Sequence, residues 1–410
     1  MSFWGGMFGS KQGNFGERAL TMVLAQDSVA GAEFDAKAFE IAYVKRDGER
    51  GRINLTTVFR RCEDATPEAA ERMLTDFVRM NKWEGGPEEP TGWAAAAPLV
   101  RPLIRQAGDL DMRVEGMRIA DHTLWRPVAP CLSETVVLDQ PTSMQRVTPH
   151  DLEQWGIDAE TVFSTARANL AELALDTIGA YDPGASNGMV YIGDNSGDLY
   201  AGSLPLVDGW LAGVGAKAGA RPIAFVAQNV GVLFGVEFSE AHVERLVSLA
   251  GELFDNGIRQ VSPMPYTVDE QGTLVPYQVH RNHVAWKDIR AAESRLSAAV
   301  YGQQYDYLRA DLDEGRTEDR AAKLMHARKP DGTETTIAPW TDGVPTLLPR
   351  VHTVTLTDPE TGETFGVPWE TLAAEVDLPP AAGIYPPRYR VEFHPDENVM
   401  ARLRAAQRMD

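Results

Sequence analysis

The chain has 410 residues, 43% apolar and 24% charged, the composition of a folded protein long enough for two or three domains. Its 59 acidic residues outweigh 39 basic ones, and the basic ones are scattered, so the net charge of -20 argues against a nucleic-acid partner. Only Cys62 and Cys131 occur, with no CxxC, which argues against a disulfide framework or a cysteine-rich zinc site and suits a reducing cytoplasm; no apolar run approaches the roughly 20 residues of a spanning helix.

Residues 1–14 lack the basic start and long apolar centre of a signal peptide. They read as a flexible aromatic and glycine-rich tail, with Phe3, Trp4 and Phe8 as partner-binding anchors. A first α+β unit is expected over 15–106. It has a helix at 17–26, a strand at 39–44, a turn at Asp47-Gly48, and a returning strand at 52–59. Thr66-Pro67 opens a helix whose inward stripe is Ala70, Met73, Leu74, Phe77 and Val78. An exposed insertion at 81–97 precedes a third strand at 100–106.

A second α+β unit with bridging strands is expected over 107–278. Short strands are predicted at 118–120 and 135–139. Asp158 caps a helix with Val162, Ala166, Leu170 and Leu173 on one face. Strands at 189–192 and 199–201 would form a hairpin around Gly193 to Asp198, and a helix follows at 206–218. The organising stretch is 221–272. Apolar runs at 223–227 and 232–238 flank Asn229 and Gly231, the pattern of a hairpin. Ser239 is placed as an N-cap. Val243, Leu246, Val247, Ala250, Leu253 and Phe254 make one apolar helix face, Asn256-Gly257 stops it, and an extended piece follows at 258–264. The order helix, two strands, helix, strand in both units predicts an internal duplication.

Residues 279–330 read as a long helix, 284–312, and the start of a charged linker that runs over 313–342. The rest, 331–410, reads as a small C-terminal α/β appendage. The fold class expected is therefore α+β: two related helix-on-antiparallel-sheet sandwich units plus that appendage.

Candidate chemistry is thin. Gly184-Ala185-Ser186-Asn187-Gly188 matches GxSxG, but a strand follows rather than precedes it, the reverse of a hydrolase elbow. Asp194, Ser196 and Asp198 alternate like calcium ligands, yet the twelfth position is Pro205 rather than an acid. His280 and His283 stand three apart without a third ligand nearby, and zinc needs three or four. Asp121 adjoins His122, a pairing suited to acid–base work. No dinucleotide or P-loop fingerprint occurs, so no cofactor and no metal are expected.

The stretch up to Ile53-Asn54-Leu55, then Arg101-Pro102-Leu103-Ile104-Arg105, Val137-Leu138-Asp139 and Pro222-Ile223-Ala224-Phe225-Val226, resembles the YtpQ-like family of uncharacterised bacterial proteins over about 15–272. The resemblance implies no reaction and no site residues. The helix-on-sheet unit is also similar to type III secretion chaperones, a fold-level analogy that implies protein holding.

These readings converge on a non-catalytic cytoplasmic adaptor that binds another protein. Two alternatives stand beside it: a hydrolase or small-ligand enzyme using Asp121, His122, His280 and His283 in a cleft between units, and a structural subunit of a homo-oligomer.

Overall fold

Strands Pro222–Phe225 (β11) and Gly231–Val236 (β12) form the hairpin that the apolar runs dictate, and Ser239 caps the helix Glu240–Asp255 behind it. The structure is a computed structural model. It describes every residue except 1–4, 37, 49, 56–57, 60–61, 63–64, 80–89, 115, 141–142, 194–199, 230, 258 and 408–410, and the backbone alone at 5–10, 54, 143, 186 and 187. The fold is α+β. The chain divides into two compact units, Met1–Leu99 with Leu138–Gln145, and Val100–Val137 with Arg146–Asp410. No helix among the described residues is long and apolar enough to cross a membrane.

The first unit holds helix α1 (Gly5–Leu24), strands β1 (Val29–Asp35), β2 (Glu40–Lys45) and β3 (Arg50–Asn54), and helices α2 (Pro67–Arg79) and α3 (Trp93–Ala96). The strands form an antiparallel meander in the order β1-β2-β3. Gly48 makes the β2–β3 turn at φ 94°, a conformation that side chains resist. Phe59 centres the core, with ring centroids 5.1 Å from Phe15 and 5.4 Å from Phe39 in edge-on packing. Helix α1 starts at Gly5, well before the predicted 17. The strand expected at 52–59 stops at Asn54. Leu55, Val58 and Phe59 are all buried and follow a helical spacing, so the chain turns there, with the Phe59 amide donating to Leu55 O at 2.9 Å. Thr66 caps α2 as expected, accepting from the Ala69 amide. Leu74 and Val78 of its stripe are buried, whereas Met73 is exposed.

In the second unit β4 (Val100–Gln106) does not close the first sheet. It lies beside β8 (Leu132–Gln140), whose other neighbour is β7 (Trp125–Ala129). Buried Pro102, Leu103 and Ile104 demand cover on both faces, which the half-exposed meander does not offer. The expected duplication therefore fails in topology: a three-stranded meander stands against a five-stranded sheet. Two-residue strands β5 (Arg113–Val114) and β6 (Met117–Arg118) complete this part, and the short β9 (Ser143–Arg146), which pairs with β8, falls almost wholly in the stretch assigned to the first unit. Helices follow at α4 (Pro149–Trp155), α5 (Ala159–Ala168) and α6 (Ala171–Ala180). Asp158 caps α5 by accepting from the Thr161 amide at 2.9 Å.

The five-stranded antiparallel sheet runs β10 (Val190–Gly193), β12, β11, β13 (Tyr266–Val268), β14 (Leu274–Pro276). The predicted hairpin partner at 199–201 is replaced by a helical turn, Ala201–Leu206, and β10 pairs with β12 instead. Alternation splits β11 and β12 between two cores. Ile223, Phe225 and Leu233 pack under α8 (Glu240–Asp255), while Ala224, Val232 and Phe234 pack with Trp210 and Val214 of α7 (Trp210–Ala218). Helices thus cover both faces, not one. Part of the extended piece predicted at 258–264 runs beside the residues after β11, with the Val261 amide donating to Ala227 O at 3.0 Å and the Ser262 amide to Val226 O at 2.8 Å, and the third strand proper begins at Tyr266.

Helix α9 (Trp286–Asp313) is the long helix expected, with Ile289, Leu296 and Val300 buried. The stretch read as a linker, 313–342, instead contains β15 (Met325–Arg328) and β16 (Glu334–Thr341). β16 is written in threonines, which suit a strand as well as Val or Ile do but read as polar. With β17 (Thr346–Pro349), β18 (Thr353–Thr357), β19 (Thr364–Pro368), α10 (Trp369–Glu375), β20 (Arg388–Val391) and α11 (Glu397–Gln407), it forms the C-terminal part. The sheet order is β15-β16-β18-β19, with β16 and β18 parallel, and β17 pairs with β20. This part is no separate appendage in packing terms. Trp340, Leu348, Val354 and Leu372 share one apolar cluster with Leu296, Trp210 and Phe234.

Candidate functional site

The residues singled out by sequence lie apart. Asp121 and His122 end a short 3-10 turn, Ile119–His122, and both are exposed. Asp121 stands 3.9 Å from Arg118. His280 and His283 belong to the turn that starts α9. Nδ1 of His280 accepts from the Asn282 amide at 3.3 Å, and Nδ1 of His283 accepts from the Ala285 amide at 3.1 Å. No hydrogen bond or ion pair among the described residues joins the two pairs. No three His, Cys, Asp or Glu side chains among those residues are placed to hold a metal. Phe3 and Trp4 fall outside the described residues. Phe8 lies in α1, its side chain outside the description. Ser186 sits in the 3-10 turn Ala185–Gly188, ahead of β10, so no strand-to-helix elbow presents it. Asp194, Ser196 and Asp198 fall outside the described residues.

The charged residues that sequence reasoning missed are buried and mutually satisfied. Arg388 is 0% exposed. Its Nε donates to Gln304 Oε1 at 2.6 Å, and its other nitrogens donate to the carbonyls of Ala322, Leu347 and Tyr301. Gln304 Nε2 donates to Asp111 Oδ2 at 3.1 Å and to Pro386 O at 2.9 Å, and Arg118 closes on Asp111 from the other side. Burial pulls the Arg388 guanidinium down to about 10. A second knot centres on Glu134, also 0% exposed, which accepts from Arg126 at 2.6 Å and from Arg167 at 2.9 and 2.7 Å. Glu293 lies 3.1 Å from His352 Nε2, whose Nδ1 accepts from the Thr336 amide. Each knot uses its donors and acceptors internally, the condition for burying charge without leaving an unpaired group. None was visible in the sequence, because key partners lie far apart: Arg167 and Glu134 by 33 positions, Gln304 and Asp111 by 193.

One sheet edge lies beside a groove. β15 pairs only with β16 among the described residues, so one side of it is a free sheet edge. Met325 on it is 47% exposed. A groove of about 320 Å³ adjoins it, lined by Arg328, Lys329, Thr335, Ile337, Thr353 and Gly366 among others. His326 and Arg328 both bond Glu334, at 2.9 and 2.7 Å. Burial works against ionising Glu334, yet these hydrogen bonds hold its carboxyl below the usual range.

No protein-family model matches the chain, and no curated protein or solved structure matches it.

Proposed function

We propose that the chain is a non-catalytic adaptor of the cytoplasm that captures an extended segment of another protein along β15. The observation that carries this reading is the free edge of β15 beside a groove. An edge offers a row of backbone donors and acceptors to an added strand, and side pockets give selectivity. Lys329 at the groove, beside an Arg328 that already bonds Glu334, favours a segment that presents an acidic residue there. The internally satisfied ion knots support the same reading, since their donors and acceptors serve to hold α9 and β20 rather than a substrate. The resemblance to the YtpQ-like family forms part of this proposal and adds no reaction to it.

The test is selection of extended peptides from a displayed random library on the immobilised full chain. The selected peptides are then titrated against wild type and the double variant Met325→Asp, Lys329→Glu. Binding that weakens by about tenfold or more, the size of one strong charged contact, supports the edge. Equal binding to both proteins places the contact elsewhere and removes the reading.

A further inference from the structure

The three-stranded meander of the first unit turns one face to α1 and leaves the other to solvent. Phe34, Ile41 and Ile53 pair across β1, β2 and β3 and point inward: Ile41 and Ile53 are buried, and the Phe34 ring fills the space that a side chain at Gly16 of α1 would need. Alternation sends the residues between them outward. Glu33, Ala42 and Arg52 form one outward row across β1, β2 and β3, and Gly31, Val44 and Arg50 form the next. The five side chains are exposed, and a methyl group added at Gly31 would meet nothing within 4 Å.

This face is sorted by charge. Acid stands on β1, small apolar residues on β2 and arginine on β3. Glu33 and Arg52 are two strands apart, about 9.6 Å, too far to bond across their own sheet. Neither Glu33 nor Arg50 has an ion pair among the described residues. Arg52 donates to Glu40 at 2.7 Å and still leaves its side chain 74% exposed. A face built only for solvent would gain more from opposite charges on adjacent strands than from an apolar row between them.

We propose that this face docks on the same face of a second copy of the chain. A two-fold axis parallel to β2 lays β1 of one copy over β3 of the other and keeps every row level. Glu33 then faces Arg52 of the partner subunit, and the pair occurs twice. Ala42 and Val44 meet their own copies along the axis, where small residues let the sheets close to about 10 Å. The open space at Gly31 receives Arg50 of the partner subunit. Glu40 also meets its own copy, but it is 19% exposed and held by Arg52, which then bridges the two chains. The face measures about 14 by 20 Å, short of the roughly 800 Å² per partner of a tight complex, so the pairing is weak and reversible. It is independent of the β15 edge.

The experiment is sedimentation equilibrium of the full chain from about 10 to 500 µM, the range of a weak pairing, at low and at high salt. Wild type, Glu33→Arg, Arg52→Glu and an equal mixture of the two variants are compared. Each variant alone sets like charges opposite each other twice, and the mixture restores opposite charges at both places. The expected result is a wild-type dimer that weakens with salt, weakens about tenfold or more in either variant, and returns in the mixture. The mixture guards against misfolding, since a misfolded variant is not rescued by its counterpart. Four results overturn the proposal: a wild-type monomer throughout, a dimer that neither variant weakens, growth past two copies, or no recovery in the mixture.

Discussion

Arg388 Nε meets Gln304 Oε1 at 2.6 Å, with both side chains fully buried. This contact joins β20 to the middle of α9. Removing the guanidinium strands the Gln304 oxygen and the carbonyls of Ala322, Leu347 and Tyr301 inside the core. Arg388→Met is expected to cost about 3–5 kcal/mol, the range for breaking a buried network from one side. Arg388→Lys recovers only part of that, since an ammonium lacks the planar fork. Denaturant unfolding measures both. A loss under about 1 kcal/mol for the Met variant would show that the contact does not hold the strand.

Ser239 accepts from the His242 amide at 3.2 Å at the head of α8. Ser239→Ala is expected to lower stability by about 1 kcal/mol, while Ser239→Asp, an equally good cap, should leave it nearly unchanged. Thermal melts of the two variants side by side check this.

His242 and His352 set an acid limit. Burial, aided by Arg245, pushes the His242 imidazole below its ordinary value. Burial also lowers His352, against the pull of Glu293. In both cases the unfolded chain binds a proton more readily than the folded one. Stability from these groups is therefore complete above the unfolded value, about 6.5, and falls as pH drops through that value toward the folded ones. The unfolding free energy should decline between pH 7.5 and 5.5, and His242→Phe should flatten that decline. A flat profile in wild type contradicts the assignment.

Cys131 is buried, and burial pushes its thiol up to about 12. Cys62 is only half-buried; burial raises it too, with Arg18 opposing. Alkylation of the native protein at neutral pH should modify Cys62 first and leave Cys131 until unfolding. Peptide mapping of a time course gives the order directly.

Local pattern made some of the fold legible. Ser239 and the stripe through Val243, Leu246 and Val247 announced α8, and the bounds of β4 matched the strand predicted at 100–106. What β4 pairs with was not legible, because a strand's neighbour depends on residues far along the chain. β16 was missed for a different reason: Thr335 and Thr336 are buried strand residues that count as polar in any composition. The candidate site shows the same division. His280 and His283 stood out by spacing, yet they serve a turn. Arg388, Gln304 and Asp111 carried no spacing signal, and the fold brings them together. The free edge of β15 follows from sheet order alone.

The bond from Gln304 to Asp111 spans 193 positions, and the bond from Arg388 back to Gln304 spans 84. On the ribosome, the second unit therefore cannot finish its core until nearly the whole chain has emerged. At about 5–20 residues per second, the nascent unit waits many seconds with Asp111 and Gln304 short of a partner. A message cut short before the codon for Arg388 would yield no stable shorter version of this unit, only a chain for the cell's proteases.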